Sequence, residues 1–163
     1  MNTIHNPVVP LFEIIYEEFC PGVKIIVEGQ VSEHHGNSQD FAIDLLSELH
    51  VVLHLNFRFS HGSHKEHNLV MNSCFNGSWG REIRYRNPLH DHDNFTIIIA
   101  VYESYYIFYV NGSYVGSFKH RIQYQTIQAI GVKGQVNIEK IKFEGFNFYN
   151  SWENEYDYEH SGY

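Results

Sequence analysis

From Leu53 to Phe59 the chain alternates without a break, Leu53-His54-Leu55-Asn56-Phe57-Arg58-Phe59. A pleated strand sends successive side chains to opposite faces. Leu53, Leu55, Phe57 and Phe59 therefore share one face, and His54, Asn56 and Arg58 share the other. An apolar strand face has to be covered by a second layer. The run thus demands a sheet packed on one side, and it leaves three hydrogen-bonding side chains in a row on the other.

The rest of the chain repeats the strand signal. Strands are expected at Lys24 to Val31, Phe41 to Leu46, His50 to Phe59, Leu69 to Phe75 and Arg81 to Tyr85. Others are expected at Phe95 to Val101, Tyr105 to Val110, Tyr114 to His120, Ile127 to Val132 and Val136 to Phe143. Turn residues punctuate them: Pro21-Gly22, Glu28-Gly29, Gly36-Asn37, Asn76-Gly77, Asn87-Pro88, Gly131 to Gly134 and Asn111-Gly112. The last is the sharpest hairpin signal, because both residues tolerate positive φ. No stretch keeps a helical apolar period over three turns. Aromatics at 16% of the chain add to the strand preference. These features predict an all-β fold, an antiparallel two-sheet β-sandwich.

At 163 residues the chain suits one domain with a core that needs no disulfide staple. Cys20 and Cys74 read as free, at least half-buried thiols. A net charge of -8 argues against a nucleic-acid partner. No apolar run nears the roughly 20 residues of a membrane helix, so no membrane insertion is expected. The N-terminus has no basic segment leading an apolar core, and no signal peptide is expected. The triplets at Asn76, Asn94 and Asn111 have the pattern of glycosylation acceptors, which arises often by chance. Composition changes only near the end. Residues 144–163 read as an acidic, aromatic tail that follows the domain of residues 1–143. The alternative is that Phe146, Phe148, Tyr149 and Trp152 pack on the domain or on a partner.

A second polar set follows the alternating run: Asn72 in Leu69-Val70-Met71-Asn72-Ser73, then Trp79-Gly80-Arg81-Glu82-Ile83-Arg84. Arg58 and Arg84 only donate, an ionised Glu82 only accepts, and Asn56 and Asn72 do both. Such a mixture suits a ligand rich in hydroxyl groups. A hexose with one axial hydroxyl keeps a patch of C–H groups on one ring face, and the flat indole of Trp79 is suited to cover it. Trp79 reads equally well as a core residue. Arg58, Glu82 and Arg84 read as a carboxylate fixed between two guanidinium groups, or as an ordinary surface ion-pair network.

These residues resemble the galectin carbohydrate-recognition domain. The family pattern is His-x-Asn-Pro-Arg, then Val-x-Asn, then Trp-Gly-x-Glu-x-Arg. Here it stands as His54-Leu55-Asn56-Phe57-Arg58, Val70-Met71-Asn72 and Trp79-Gly80-Arg81-Glu82-Ile83-Arg84. Further matches lie at Asn6 to Pro10, Pro21-Gly22, Phe41 to Leu45, Val110-Asn111-Gly112, Phe118 to Arg121 and Ile130 to Val136. The resemblance implies a jelly-roll sandwich and a lectin for β-galactosides of glycoproteins or glycolipids, with no cofactor, no metal and no catalysis. By position, His54, Asn56 and Arg58 would bind galactose O4, and Asn72 and Glu82 would bind O6. Trp79 would stack on the ring. Glu82, Arg58 and Arg84 would reach the next sugar. The resemblance also implies a cytoplasmic protein that can be secreted without a signal peptide, and a homodimer where cross-linking is required. Phe57 replaces the family's proline; its side chain is expected to point away from the sugar, and its restored N–H to alter the strand edge. The loop from Ser60 to Asn68 is longer than is common in the family.

Three rival readings remain. His61, His64 and His67 stand three apart, and His90 and His92 two apart, among twelve histidines. That spacing in a polar loop does not fix a zinc site, and solvated histidines are expected. A glycosidase needs two carboxylates, one with a raised pKa. Glu82 has arginine neighbours that lower it, and Glu66, Asp91 and Asp93 have no evident placement. A protein-interaction module on the same fold, with sugar binding altered or lost, is the third.

Overall fold

A computed structural model describes residues 3–33, 40–60 and 66–146. The expected turn at Gly36-Asn37, the loop histidines His61 and His64, and the tail aromatics Phe148, Tyr149 and Trp152 lie outside the described residues. Thirteen strands and one short 3-10 turn at Tyr124–Thr126 make up the described secondary structure. The strands are β1 Thr3–His5, β2 Leu11–Ile14, β3 Lys24–Val31, β4 Asp40–Leu46, β5 Val51–Arg58, β6 Asn68–Phe75 and β7 Ser78–Trp79. They continue as β8 Ile83–Arg86, β9 Asn94–Val101, β10 Tyr105–Val110, β11 Ser113–Lys119, β12 Ala129–Gly134 and β13 Val136–Glu144.

The strands form two antiparallel sheets. One runs β1-β13-β3-β9-β10-β11; the other runs β2-β12-β4-β5-β6-β7, with β8 also on β6. This is the expected two-sheet jelly-roll sandwich. Its core lies between the sheets, where Ile25, Val27, Leu45, Leu53, Leu55 and Phe108 are among the buried apolar side chains. Each such side chain contributes about 1.5–3 kcal/mol when fully buried.

The alternation of β5 is read correctly. Leu53, Leu55, Phe57 and Phe59 are all buried in the core. Phe57 stacks on Phe41 at 4.7 Å, and Phe41 stacks in turn on Phe95 at 5.6 Å. The ring at the family's proline position thus points away from the polar row. β5 is an interior strand there, paired with Phe41 on β4 and Leu69 on β6, so the restored N–H alters no sheet edge.

Sequence periodicity passes over β1, β2 and β7. β1 and β7 are too short to show a period, and β2 (Leu11-Phe12-Glu13-Ile14) has four residues of which Phe12 and Ile14 share an exposed face. β8 begins two residues later than expected, which leaves Arg81 and Glu82 ahead of the strand. β12 begins at Ala129 because Ile127 closes the 3-10 turn through its N–H to the Tyr124 carbonyl. Glu144 is the last residue of β13, and Phe146 is buried edge-on to Phe19 at 5.0 Å. Cys20 and Cys74 are free and half-buried.

Candidate functional site

Cross-strand register assembles the site. Asp44 on β4 lies opposite His54 on β5, and His54 lies opposite Asn72 on β6. Asp40 lies opposite Arg58, and Val70, the partner of Asn56, lies opposite Arg84 on β8. His54, Asn56, Arg58, Asn72 and Arg84 therefore share the solvent face of one sheet. The Asn76-Gly77 turn, with φ of 49° and 78°, folds β7 back on β6 so that Trp79 faces Cys74. Trp79 is 53% exposed, and its ring lies 4.9 Å from that of His54. Trp79 is therefore a surface residue and not part of the core.

Each polar side chain is held by another. The Asp44 carboxylate only accepts, so the 2.5 Å contact fixes the proton on His54 Nδ1 and leaves Nε2 outward. Asn56 donates to Asp40 Oδ2 at 2.8 Å and to the Phe41 carbonyl at 3.2 Å. Both amide hydrogens are thereby used, and its oxygen accepts from Arg58 Nε at 2.6 Å with one lone pair to spare. Asn72 donates to the Gly80 carbonyl at 2.9 Å, which leaves one amide hydrogen for a ligand. Its oxygen accepts from the Ser73 N–H at 2.8 Å and Arg121 Nη1 at 2.9 Å. A Cβ on Gly80 would sit 2.7 Å from that Arg121 nitrogen, so a larger residue beside the indole would push the guanidinium off Asn72.

Glu82 is clamped between Arg58 Nη2 at 2.9 Å and Arg84 Nη1 at 2.8 Å. Glu66 bridges the same two arginines from the loop side, at 3.1 Å and 3.2 Å. Burial works to raise both carboxyl pKa values, but the guanidinium groups, with Asn68 on Glu66, outweigh it and hold both below their usual 4.5. The same contacts, Glu82 first, raise the pKa of Arg84. Burial, with Arg81 nearby, lowers that of Arg121. Two ionised carboxylates and two charged guanidiniums thus make a rigid lattice of directed donors and acceptors.

All seven expected residues, His54, Asn56, Arg58, Asn72, Trp79, Glu82 and Arg84, are brought together on this face. Four further residues shape the site: Asp40, Asp44, Glu66 and Arg121. Asp40 and Asp44 carried a readable signal, since both fall on one face of an alternating strand. Glu66 had none, because it lies in an aperiodic loop. Arg121 reaches Asn72 across 49 residues, a closure that local pattern does not encode.

A concavity of about 630 Å³ lies beside the polar row rather than over it, between Phe12, Ile14, Leu46, Leu49 and Cys74. Its lining is mostly apolar, with Ser47, Glu48, His50 and Gln128 as its polar members. His67 and His90 stack at 5.1 Å, away from the row, and no group of three metal-ligating side chains occurs among the described residues.

A family model described as galactoside-binding lectin matches residues 10–143. The chain is 45% identical over its full length to the probable galaptin lec-8 of Caenorhabditis elegans, covering 87% of that protein. It is 43% identical to the probable galaptin lec-7 of the same organism, over 93% of this chain and 82% of that one. Galectin-8 of Rattus norvegicus is 32% identical over 87% of this chain, which spans 45% of that longer protein. Among solved structures, Caenorhabditis elegans galectin LEC-6 superposes with a TM-score of 0.78 at 24% identity, over 88% of this chain and 96% of that one.

Proposed function

The chain belongs to the galactoside-binding lectin family, and from that premise we propose that it binds β-galactoside glycans of the lactose or N-acetyllactosamine type, without metal and without catalysis. The observation that carries this reading is the Glu82 clamp between Arg58 and Arg84 beside an indole that is 53% exposed. Galactose lies with its C–H face on Trp79. Its axial O4 meets His54 Nε2, the spare lone pair of Asn56 and a hydrogen of Arg58. O6 meets the free amide hydrogen of Asn72 and Glu82. The next sugar lies toward Arg84, Glu82 and Arg58. A hexose with an equatorial O4 leaves those groups unpaired, which is how the site rejects glucose.

Catalysis is opposed by the same lattice. A glycosidase needs a carboxylic acid that holds its proton near neutrality. Glu66 and Glu82 both have lowered pKa values. Hydroxyls are read by side chains alone, so dialysis against a chelator leaves binding unchanged.

An open site gains strength from multivalency. The exposed Phe12 and Ile14 of edge strand β2 support a homodimer as the route to it. The targets are glycoproteins and glycolipids, met where the protein is present both in the cytoplasm and outside the cell. No described helix is long and apolar enough to cross a membrane.

A protein-interaction role is favoured by one observation, the apolar concavity bordered by exposed Phe12 and Leu49. A glycan array with lactose as competitor separates the readings. Lactose-sensitive binding of galactose-terminated glycans supports the lectin. An empty array on folded protein supports the interaction module.

A further inference from the structure

The two walls of the polar row differ in charge. Toward the β6–β8 side, the guanidinium of Arg58, which lies opposite Asp40 at the end of β5, joins Arg84 in balancing Glu66 and Glu82. Arg121 adds a charge there, with Arg81 beside it, and neither is ion-paired among the described residues; Arg121 Nη2 donates to the Arg81 carbonyl at 2.6 Å. On the β4 side stand Asp44, held by His54, and Asp40. Asp40 is half-buried, and one of its oxygens accepts from Asn56. No lysine or arginine is ion-paired with Asp40 among the described residues.

Ring stereochemistry decides which edge of the sugar meets which wall. In galactopyranose, C1 and C5 flank the ring oxygen, and C3 lies diagonally across from it. The proposed pose, on which this inference rests, holds O6 and the linkage to the next sugar on the β6–β8 side. The C3 edge then faces β4. A substituent on O3 is directed at Asp40 and Asp44, whereas one on the second sugar lies in the field of the arginines.

We infer that Asp40 is a specificity residue: it makes the site reject galactosides that carry an anionic group on galactose O3, while accepting the same group on the second sugar. Two like charges brought together at a partly desolvated rim cost enough to change affinity about tenfold. The carboxylate has a second task in orienting Asn56, and asparagine at position 40 retains an oxygen for that hydrogen bond. Asp40→Asn therefore removes the charge and keeps the acceptor.

The test is a titration of the full chain with three probes: N-acetyllactosamine, its galactose 3-O-sulfate, and its N-acetylglucosamine 6-O-sulfate. The 3-O-sulfate should bind about tenfold more weakly than the neutral disaccharide in low salt, with the gap narrowing as salt screens the charge. The 6-O-sulfate should bind at least as well as the neutral sugar. In Asp40→Asn the ratio of 3-O-sulfate to neutral affinity should return to within about threefold. Equal binding of the 3-O-sulfate and the neutral sugar by the wild type overturns the inference. So does an unchanged ratio in Asp40→Asn, which would make the exclusion steric, or an equal loss for both sulfates, which would make it an effect of the net charge of -8. Failure of the neutral disaccharide to bind at all is a different result, and it overturns the lectin reading itself.

Discussion

At the scale of single residues, the side chains of the proposed site are fixed before a ligand arrives. Arg58 is the hub: Nε binds Asn56, Nη1 binds Glu66 and Nη2 binds Glu82. A guanidinium held at three points loses little freedom when it meets a sugar hydroxyl. Glu66 matters for this reason, although it is not assigned a sugar contact. Glu66→Gln removes the charge that aligns Arg58 and Arg84, and is expected to weaken lactose binding about three- to tenfold with little change in stability, since exposed ion pairs contribute about 0–1 kcal/mol. Parallel calorimetric titration and thermal melts of the variant check this. The identity of the hub was legible in the alternation of β5. The role of Glu66 was not, because a loop residue acquires its position only from the strands on either side.

At the scale of elements, β5 separates stability from recognition. Its inward residues belong to the core, and its outward residues belong to the proposed site. Phe57 is buried between Phe41 and the neighbouring strands, so Phe57→Ala opens a cavity. The expected cost is about 3–5 kcal/mol of stability, seen as a lower melting temperature. The lactose affinity of the fraction that remains folded should be unchanged, because the polar row takes its register from pairing on both sides. A matching loss of affinity would show that the two faces are coupled. The long strands were read well from the sequence, with β3 and β10 placed to the residue, because eight and six residues carry several turns of a period-two pattern. β1, β2 and β7, with three, four and two residues, carry too few, whereas the four-residue β8 shows in the alternation that begins at Arg81. The order of the strands within the two sheets lies beyond local pattern, since pairings such as β13 with β3, β3 with β9 and β12 with β4 join strands distant in sequence.

At the scale of the whole molecule, a sandwich with net charge -8 gathers Arg58, Arg81, Arg84 and Arg121 around one open face. Acid is the simplest probe of that arrangement. Glu66 and Glu82 have folded pKa values below their usual 4.5, so their contribution is complete above that value and is lost as pH falls through the lowered one. Through these two groups, lactose binding is expected to hold level from neutrality to about pH 5 and to collapse at lower pH as the clamp is protonated. A profile that rises as these carboxyls protonate contradicts the clamp. The central claim, that Trp79 and the Arg58 hub together form a galactoside site, is tested most directly by retention on lactose-agarose of the wild type, Trp79→Ala and Arg58→Ala, each confirmed as folded by circular dichroism. The wild type should be retained and released by free lactose, and both variants should pass through unretarded. Retention of either variant at wild-type strength, or passage of the folded wild type, would contradict it.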